Sequence, residues 1–289
     1  MPVPQFNYIS IAFCTNNYYT TLTYVSMISI LISKNENTYI CFYIIIPKDY
    51  SKKNINFLNS LYDQYDYFNI TFIKMDDRYK KAYTSRYITT HAYYRFSLGE
   101  LIPNLNKILY LDSDTICYKD LFNLYNINFK GKIILGQIII TNNNKKTGYY
   151  RINSGILLLN LKEMRDIKFE EKVLRLINKN FKNNFHDQSI INEYFYKKVG
   201  VFPPKYHGRP YINYDEIVQY NIKSGNIYDN DYLYFSWKYP TIKHFVAYSK
   251  PNYQNKYNKE DWWYFARKSK YFKEKSYNLS KIFNYIYDN

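Results

Sequence analysis

Along the first 160 residues, short apolar runs alternate with stretches whose apolar residues recur every three or four positions, and that alternation leaves few folds open. Residues 8–13, 39–46 and 70–75 are rich in β-branched and aromatic side chains and read as strands. Between them, Leu22, Val25, Ile28 and Ile32, then Ile55, Leu58, Leu61 and Tyr65, have helical spacing. Strands alternating with helices predict an α/β sheet covered on both faces. A further helical stretch over residues 89–101 leads through Pro103 into Lys107–Leu111, which is short, apolar and free of glycine, as a buried central strand should be. Residues 132–140 and 155–161 are two more strand candidates, separated by the polar insert 141–148, a loop placed to cover a site. Phe169, Val173, Leu176 and Ile177 mark an amphipathic helix, and another begins just after Asp187. With no internal repeat or linker, one domain is expected over residues 1–250, followed by a basic, aromatic helical tail over 251–289.

Composition narrows the function. Hydrophobic residues make up 46% of the 289 and aromatics 21%, enough for a large core and too apolar for a solvated, disordered chain. No run approaches the roughly 18 to 20 apolar residues of a membrane-spanning helix, and no basic-then-apolar leader opens the sequence, so a cytoplasmic location is expected. The three cysteines are odd in number and lack any Cys-x-x-Cys pair, which points to reduced side chains. The net charge of +16 favours an anionic partner, although the joint excess of Lys, Asn, Ile, Tyr and Phe is also what AT-rich codons would give. Eight glycines, with no Gly-x-Gly and no Gly-Lys-Ser/Thr, argue against dinucleotide-binding and P-loop chemistry. There is no Gly-x-Ser-x-Gly elbow and no His-Glu-x-x-His. A bound nucleotide would need another way of holding its phosphates, and a metal ion is the obvious one.

Asp112-Ser113-Asp114 follows the apolar run of Lys107–Leu111 at once. In extended backbone, residues two apart point the same way, so both carboxylates would face one site at the carboxyl end of a buried strand. Parallel sheets bind ligands at that edge, and hard divalent cations take paired carboxylates. Capping of the following turn is the alternative use of such a pair.

With Tyr93-Tyr94-Arg95-Phe96 and Leu101-Ile102-Pro103 before that pair and Asp120-Leu121 after it, the segment closely resembles glycosyltransferase family 8. Asn153-Ser154-Gly155, Asp187-Gln188 with Asn192, His244-Phe245, Lys250-Pro251 and the stretch from Asp261-Trp262-Trp263 to Lys268 are similar to further signatures of that family, in the same order. The resemblance covers residues 9–268. It implies a single-domain glycosyltransferase A-type fold, Rossmann-like, with a mixed, mainly parallel central sheet and a C-terminal helical tail. It also implies a retaining transferase that moves glucose or galactose from a UDP-sugar to a glycan or glycolipid acceptor such as lipopolysaccharide. Asp112, Asp114 and His244 would be the metal ligands, a mixed oxygen and nitrogen set that suits manganese better than magnesium. Asn153, Asp187 and Gln188 would be catalytic and surround the transferred sugar, with Gln188 near the anomeric carbon; Asp187 alone also reads as a helix N-cap. Cys14, Asn16, Tyr18, Arg86 and Arg95 would bind the donor, together with Ser113, Ser154, Gly155, Ala247 and Lys250. Gln188 is a poor nucleophile, which favours front-side attack with the leaving phosphate taking the acceptor proton.

Three positions depart from the family pattern. Asn16-Asn17-Tyr18-Tyr19 stands where Asp-Asp-Asn-Tyr is usual, Ala247 replaces a glycine, and Asn252 replaces a tryptophan. Two other functions compete: a protein that glucosylates its own tyrosines, of which there are 38, and a basic protein that binds nucleic acid. Dispersed charge and the lack of any recognition module speak against specific nucleic-acid binding. In the tail, Trp262, Trp263, Tyr264 and Phe272 alternate with basic residues, as in segments that lie on anionic lipid, so peripheral contact with the inner membrane face is expected; packing of both tryptophans onto the domain is the alternative.

Overall fold

The strand-like runs near the N-terminus all become strands of one sheet, because each supplies apolar side chains to faces that helices then cover. The computed structural model describes residues 5–85, 89–139, 151–179, 186–209, 213–223, 228–246, 249–251, 260–270 and 272. Nine strands are present among them: β1 (Asn7–Cys14), β2 (Thr38–Ile46), β3 (Phe68–Lys74), β4 (Lys107–Leu111), β5 (Thr115–Cys117), β6 (Ile134–Ile139), β7 (Arg151–Asn160), β8 (Val199–Val201) and β9 (Ile242–His244). Seven form a mixed sheet in the order β3-β2-β1-β4-β7-β6-β8, in which β3, β2, β1 and β4 are parallel neighbours and β7 runs antiparallel to both β4 and β6. The chain winds outward from β1 through β2 and β3 on one side, and β4 opens the other side. A crevice therefore forms beside the carboxyl ends of β1 and β4, where open α/β sheets bind ligands.

The helix Thr20–Ser33 is buried on nearly every side, not only along its apolar stripe. Its hydroxyl residues recur at near-helical spacing and meet the segment after β4: Thr23 bonds Ser113 at 2.8 Å, Ser26 bonds Thr115 at 3.0 Å, and Ser29 accepts from the Cys117 N–H at 2.9 Å. Buried hydroxyls are tolerated because each finds a partner, and the ladder pins the chain from Ser113 to Cys117. Ile32, expected on the buried face, is 40% exposed at the helix end.

The predicted helical stretch 89–101 is a 3-10 helix over Thr90–Ser97 followed by a single α turn, Leu98–Leu101. Here Arg95 folds back and donates from Nε to the Ala92 carbonyl at 2.6 Å, taking an acceptor from the previous turn. The strand expected at 155–161 starts earlier, at Arg151, since Asn192 supplies hydrogen bonds to the backbone of Ile152.

A two-stranded antiparallel sheet, β5 with β9, brings together segments more than 120 residues apart, with Thr115 opposite His244. At the tail, the helix Glu260–Ala266 packs on Thr20–Ser33, and Trp262 is fully buried in the main core. Trp262 thus takes the packing role and is not offered to lipid. Among the described residues no helix is long and apolar enough to cross a membrane. Arg86, Ala247, Asn252, the insert 141–148 and the tail beyond residue 272 lie outside the described residues.

Candidate active site

β4 ends at Leu111, and the acidic pair stands in the turn that follows rather than in extended backbone. The carboxylates converge because the turn is held on both sides: the Asp112 N–H donates to the Gly155 carbonyl at 2.7 Å, and the Asp114 carbonyl accepts from the Phe245 N–H at 2.8 Å. Oδ1 of Asp112 accepts from the Tyr110 hydroxyl at 2.6 Å and from Arg95 Nη2 at 3.0 Å. Its Oδ2 lies 3.6 Å from His244 Nε2, and Asp114 Oδ1 lies 3.2 Å from the same nitrogen. Lys250 Nζ closes the far side at 3.0 Å from Asp114 Oδ2. Asp112, Asp114 and His244 thereby place one donor atom each within 4.8 Å of one another.

That donor set fits a hard or borderline divalent cation such as manganese. Two features beyond the ligands fit it as well. A Cβ at Gly155 would stand 2.1 Å from His244 Cε1 and 2.7 Å from Asp112 Oδ2, so only glycine leaves room for the three to meet. Behind His244, its Nδ1 lies 3.0 Å from Nε2 of His207, and both rings are buried. With Nε2 of His244 on a cation, Nδ1 would carry the proton and donate a hydrogen bond to His207, which here takes the outer-partner place that a carboxylate or carbonyl more often fills.

Burial opposes ionisation of Asp112 and Asp114, yet Arg95 beside the first, Lys250 beside the second and His244 between them hold both carboxyls below the usual carboxylate range. Burial likewise opposes the charged form of His244, and the two carboxylates outweigh it and raise that pKa. His207 is pushed well below the ordinary histidine range by its own burial, then by His244 and Arg209, so it stays neutral and able to accept.

Arg95 is the hub on the other side. Its guanidinium lies over the Tyr110 ring at 4.3 Å, pairs with Asp112, donates to the Ser154 carbonyl, and sits 3.3 Å from Asp187 Oδ2. Asp187 opens the helix Asp187–Tyr194 but does not cap it, since the N-cap position is His186. Its Oδ2 is buried and, beyond the ion pair with Arg95, makes no hydrogen bond among the described residues, so it has room to accept one from a molecule in the cavity. On the next residue, Gln188 Oε1 accepts from Asn153 Nδ2 at 3.2 Å and from the Ser154 N–H at 3.3 Å. One turn on, the Asn192 amide accepts from the Ile152 N–H at 2.7 Å and donates to its carbonyl at 2.8 Å, docking the helix on β7.

Of these groups all but His207, Arg209, Asn192, Ile152 and Phe245 line one cavity of about 450 Å³, a size common for small-ligand sites. Residues 10–255 match the sequence model of glycosyl transferase family 8. The chain belongs to that family. Within it, the lipopolysaccharide 1,2-glucosyltransferase of Escherichia coli is similar, 27% identical over 198 residues that cover 63% of this chain and 57% of that protein. General stress protein A of Bacillus subtilis (strain 168) is 28% identical over 156 residues, 50% of this chain and 54% of that protein. The chain spans about half the length of the curated relatives it matches. A crystal structure of the galactosyltransferase LgtC in complex with donor and acceptor sugar analogs superposes with a TM-score of 0.73 at 20% identity, over 91% of this chain and 96% of that one. That likeness concerns the fold, which is the glycosyltransferase A type expected for family 8.

Of the residues singled out from the sequence, Cys14, Asn16, Arg95, Asp112, Ser113, Asp114, Asn153, Ser154, Gly155, Asp187, Gln188, His244 and Lys250 all line this cavity. Tyr18 does not: it is 43% exposed, edge-on to Tyr19, and Tyr19 takes the place at the wall with Lys250 Nζ 4.9 Å from its ring centre. The Asn16 amide oxygen is already engaged by the Tyr19 N–H at 2.9 Å, and its nitrogen lies 3.4 Å from His91 Nδ1. Tyr110, Tyr19, His91, His186 and His207 belong to the site or its support and were missed. Tyr110 had a signal, because it stands two residues before Asp112 in the sequence, a spacing that reads as one strand face even though Asp112 lies past the end of β4. His207 had none, standing 37 residues before its partner.

Proposed function

We propose that this family 8 protein transfers a hexosyl group, glucose or galactose, from a UDP-sugar to a glycan or glycolipid acceptor, with retention of configuration. The observation that carries this is the meeting, in one cavity, of a three-residue cation site with a sugar-facing pair, Asp187 and Gln188, held by Arg95 and Asn153. The acceptor class is taken from the lipopolysaccharide glucosyltransferase among the relatives.

Asp112, Asp114 and His244 would hold manganese, with magnesium as the alternative ion. Bound there, the metal supplies positive charge for the donor diphosphate. Lys250 adds a fixed cation at the same end, held by Asp114. Asp187 Oδ2 accepts a hydroxyl of the sugar, and Arg95, 3.3 Å away, holds that carboxylate in place. The Gln188 amide is fixed by two donors, and an amide is a weak nucleophile. So weak a nucleophile at Gln188 favours front-side attack, the leaving phosphate taking the acceptor proton. Asn16 Oδ1 has a second lone pair for the base, and Cys14, Ser113, Ser154 and Gly155 shape the donor channel. The setting is the cytoplasmic face of the inner membrane, where the exposed side chains of Tyr264, Arg267 and Lys268 would meet anionic lipid.

UDP release from a panel of UDP-sugars, with manganese and with chelator, tests this on wild type and Asp114→Ala. Manganese-dependent turnover of one donor, lost in the variant, is expected. Turnover that survives both chelator and substitution overturns the metal assignment, and isolation of a glycosylated Gln188 or Asp187 overturns front-side attack.

A further inference from the structure

On the face of β9 opposite His244, the chain builds a second cavity of about 480 Å³ that the proposed transfer does not use. Neighbouring residues of a strand point to opposite faces, so His244 lines the first cavity while Lys243 lines this one. The remaining wall comes from four other places, one of them Asp261 on the helix Glu260–Ala266. Tyr118 and Lys119 follow β5, Arg209 follows the Gly208–Lys243 bridge, and Trp237 and Tyr239 lie at the end of the helix Asn230–Lys238.

The charge is one-sided. The carboxylate in the wall, Asp261, is already paired with Lys243. Arg209 commits one N–H to a long contact with the Ile138 carbonyl at 3.4 Å, which leaves a planar fork with capacity for a carboxylate or phosphate. Lys119 is exposed at the rim, and Tyr239 is 54% exposed. Aromatic rings offer an apolar face and a polar edge, the pairing that a pyranose ring, with C–H faces and hydroxyl edges, can match. A bilayer surface is met by a protruding amphipathic face and not by a recess. The volume lies within the range of about 300 to 1,000 Å³ of small-ligand sites.

We propose that this cavity is an accessory site for an anionic saccharide, holding a uronate- or phosphate-bearing stretch of the acceptor away from the point of transfer. Only the word acceptor rests on the function proposed above; the recognition chemistry stands on the cavity alone.

Calorimetric titration of the whole chain with trigalacturonate, mannose 6-phosphate and neutral maltotriose tests it, with UDP and manganese present to occupy the first cavity. At least one anionic probe binds about tenfold more tightly than maltotriose, which also tells uronate from phosphate recognition. Arg209→Ala and, independently, the surface variant Lys119→Ala weaken that binding, and Trp237→Ala weakens it where Trp237→Phe does not. Asp114→Ala, at the other cavity, leaves it within about twofold, so a failed transfer assignment and a failed accessory site give different results. Equal affinity for maltotriose, or unchanged binding in Arg209→Ala and Lys119→Ala at wild-type melting temperature, overturns the proposal. So does a result in which those variants lose sedimentation with phosphatidylglycerol vesicles and keep saccharide binding.

Discussion

At one end of the first cavity, Asp112, Asp114, His244, Arg95 and Lys250 form a closed set of contacts between 3.0 and 3.6 Å, whereas at the other end Asn16 meets His91 at 3.4 Å and Tyr18 turns to solvent. The first end draws on β4, the 3-10 helix, β9 and the residues beyond it. The second draws mainly on the short segment after β1. Charged groups brought together out of water need many fixed partners, or their desolvation would dominate. A neutral amide such as Asn16 needs only one or two hydrogen bonds, so that end can be rebuilt by a few substitutions.

If that contrast holds, substitutions should cost most at the cation end. Asp114→Ala should lower manganese-dependent UDP release by about a thousandfold, roughly 4 kcal/mol in the barrier, since it removes a ligand and strands both His244 and Lys250. Next come changes that keep the identity of all three cation-site residues. Gly155→Ala and His207→Phe should each weaken manganese binding by about 10- to 100-fold, read from the free-ion signal in electron paramagnetic resonance; wild-type affinity in both would remove His207 and the glycine gap from the account. Asn192→Leu leaves the Ile152 N–H and carbonyl without partners and should cost about 2 kcal/mol in urea unfolding, with the helix Asp187–Tyr194 loosened first. The smallest effect belongs to the base end. Asn16→Ala should cost about 1 kcal/mol, as loss of one side-chain hydrogen bond to the Tyr19 N–H does, and raise KM for the donor while kcat stays. Losses as large as those of Asp114→Ala would mean that the two ends are equally built.

Local pattern made most of this site legible. The run Lys107–Leu111 is a strand with the bounds read from its composition, and the carboxylates after it reach one site. They do so from a turn, however, so the two-residue strand argument gave the right outcome by the wrong geometry. Helical spacing found Thr20–Ser33 but not its hydroxyl ladder, because a Thr or Ser in a helix gives no hint of which strand it will meet. Tyr18 and Tyr19 are chemically alike, and only the packed loop decides which one faces the cavity.

The sequence by itself determined the elements and the chemical inventory: strands from β-branched and aromatic runs, helices from their spacing, and the acids, amides and histidine that a sugar transferase needs. The tertiary structure decided the meeting. Pairing of β5 with β9 sets Thr115 opposite His244, and that register, more than 120 residues apart in sequence, turns two aspartates and a remote histidine into one site. It also sent Lys243 to the other side of the same strand, where it lines a second cavity. Contacts of this kind depend on which distant surfaces bury each other, a choice that the whole core makes at once and no short stretch of sequence records.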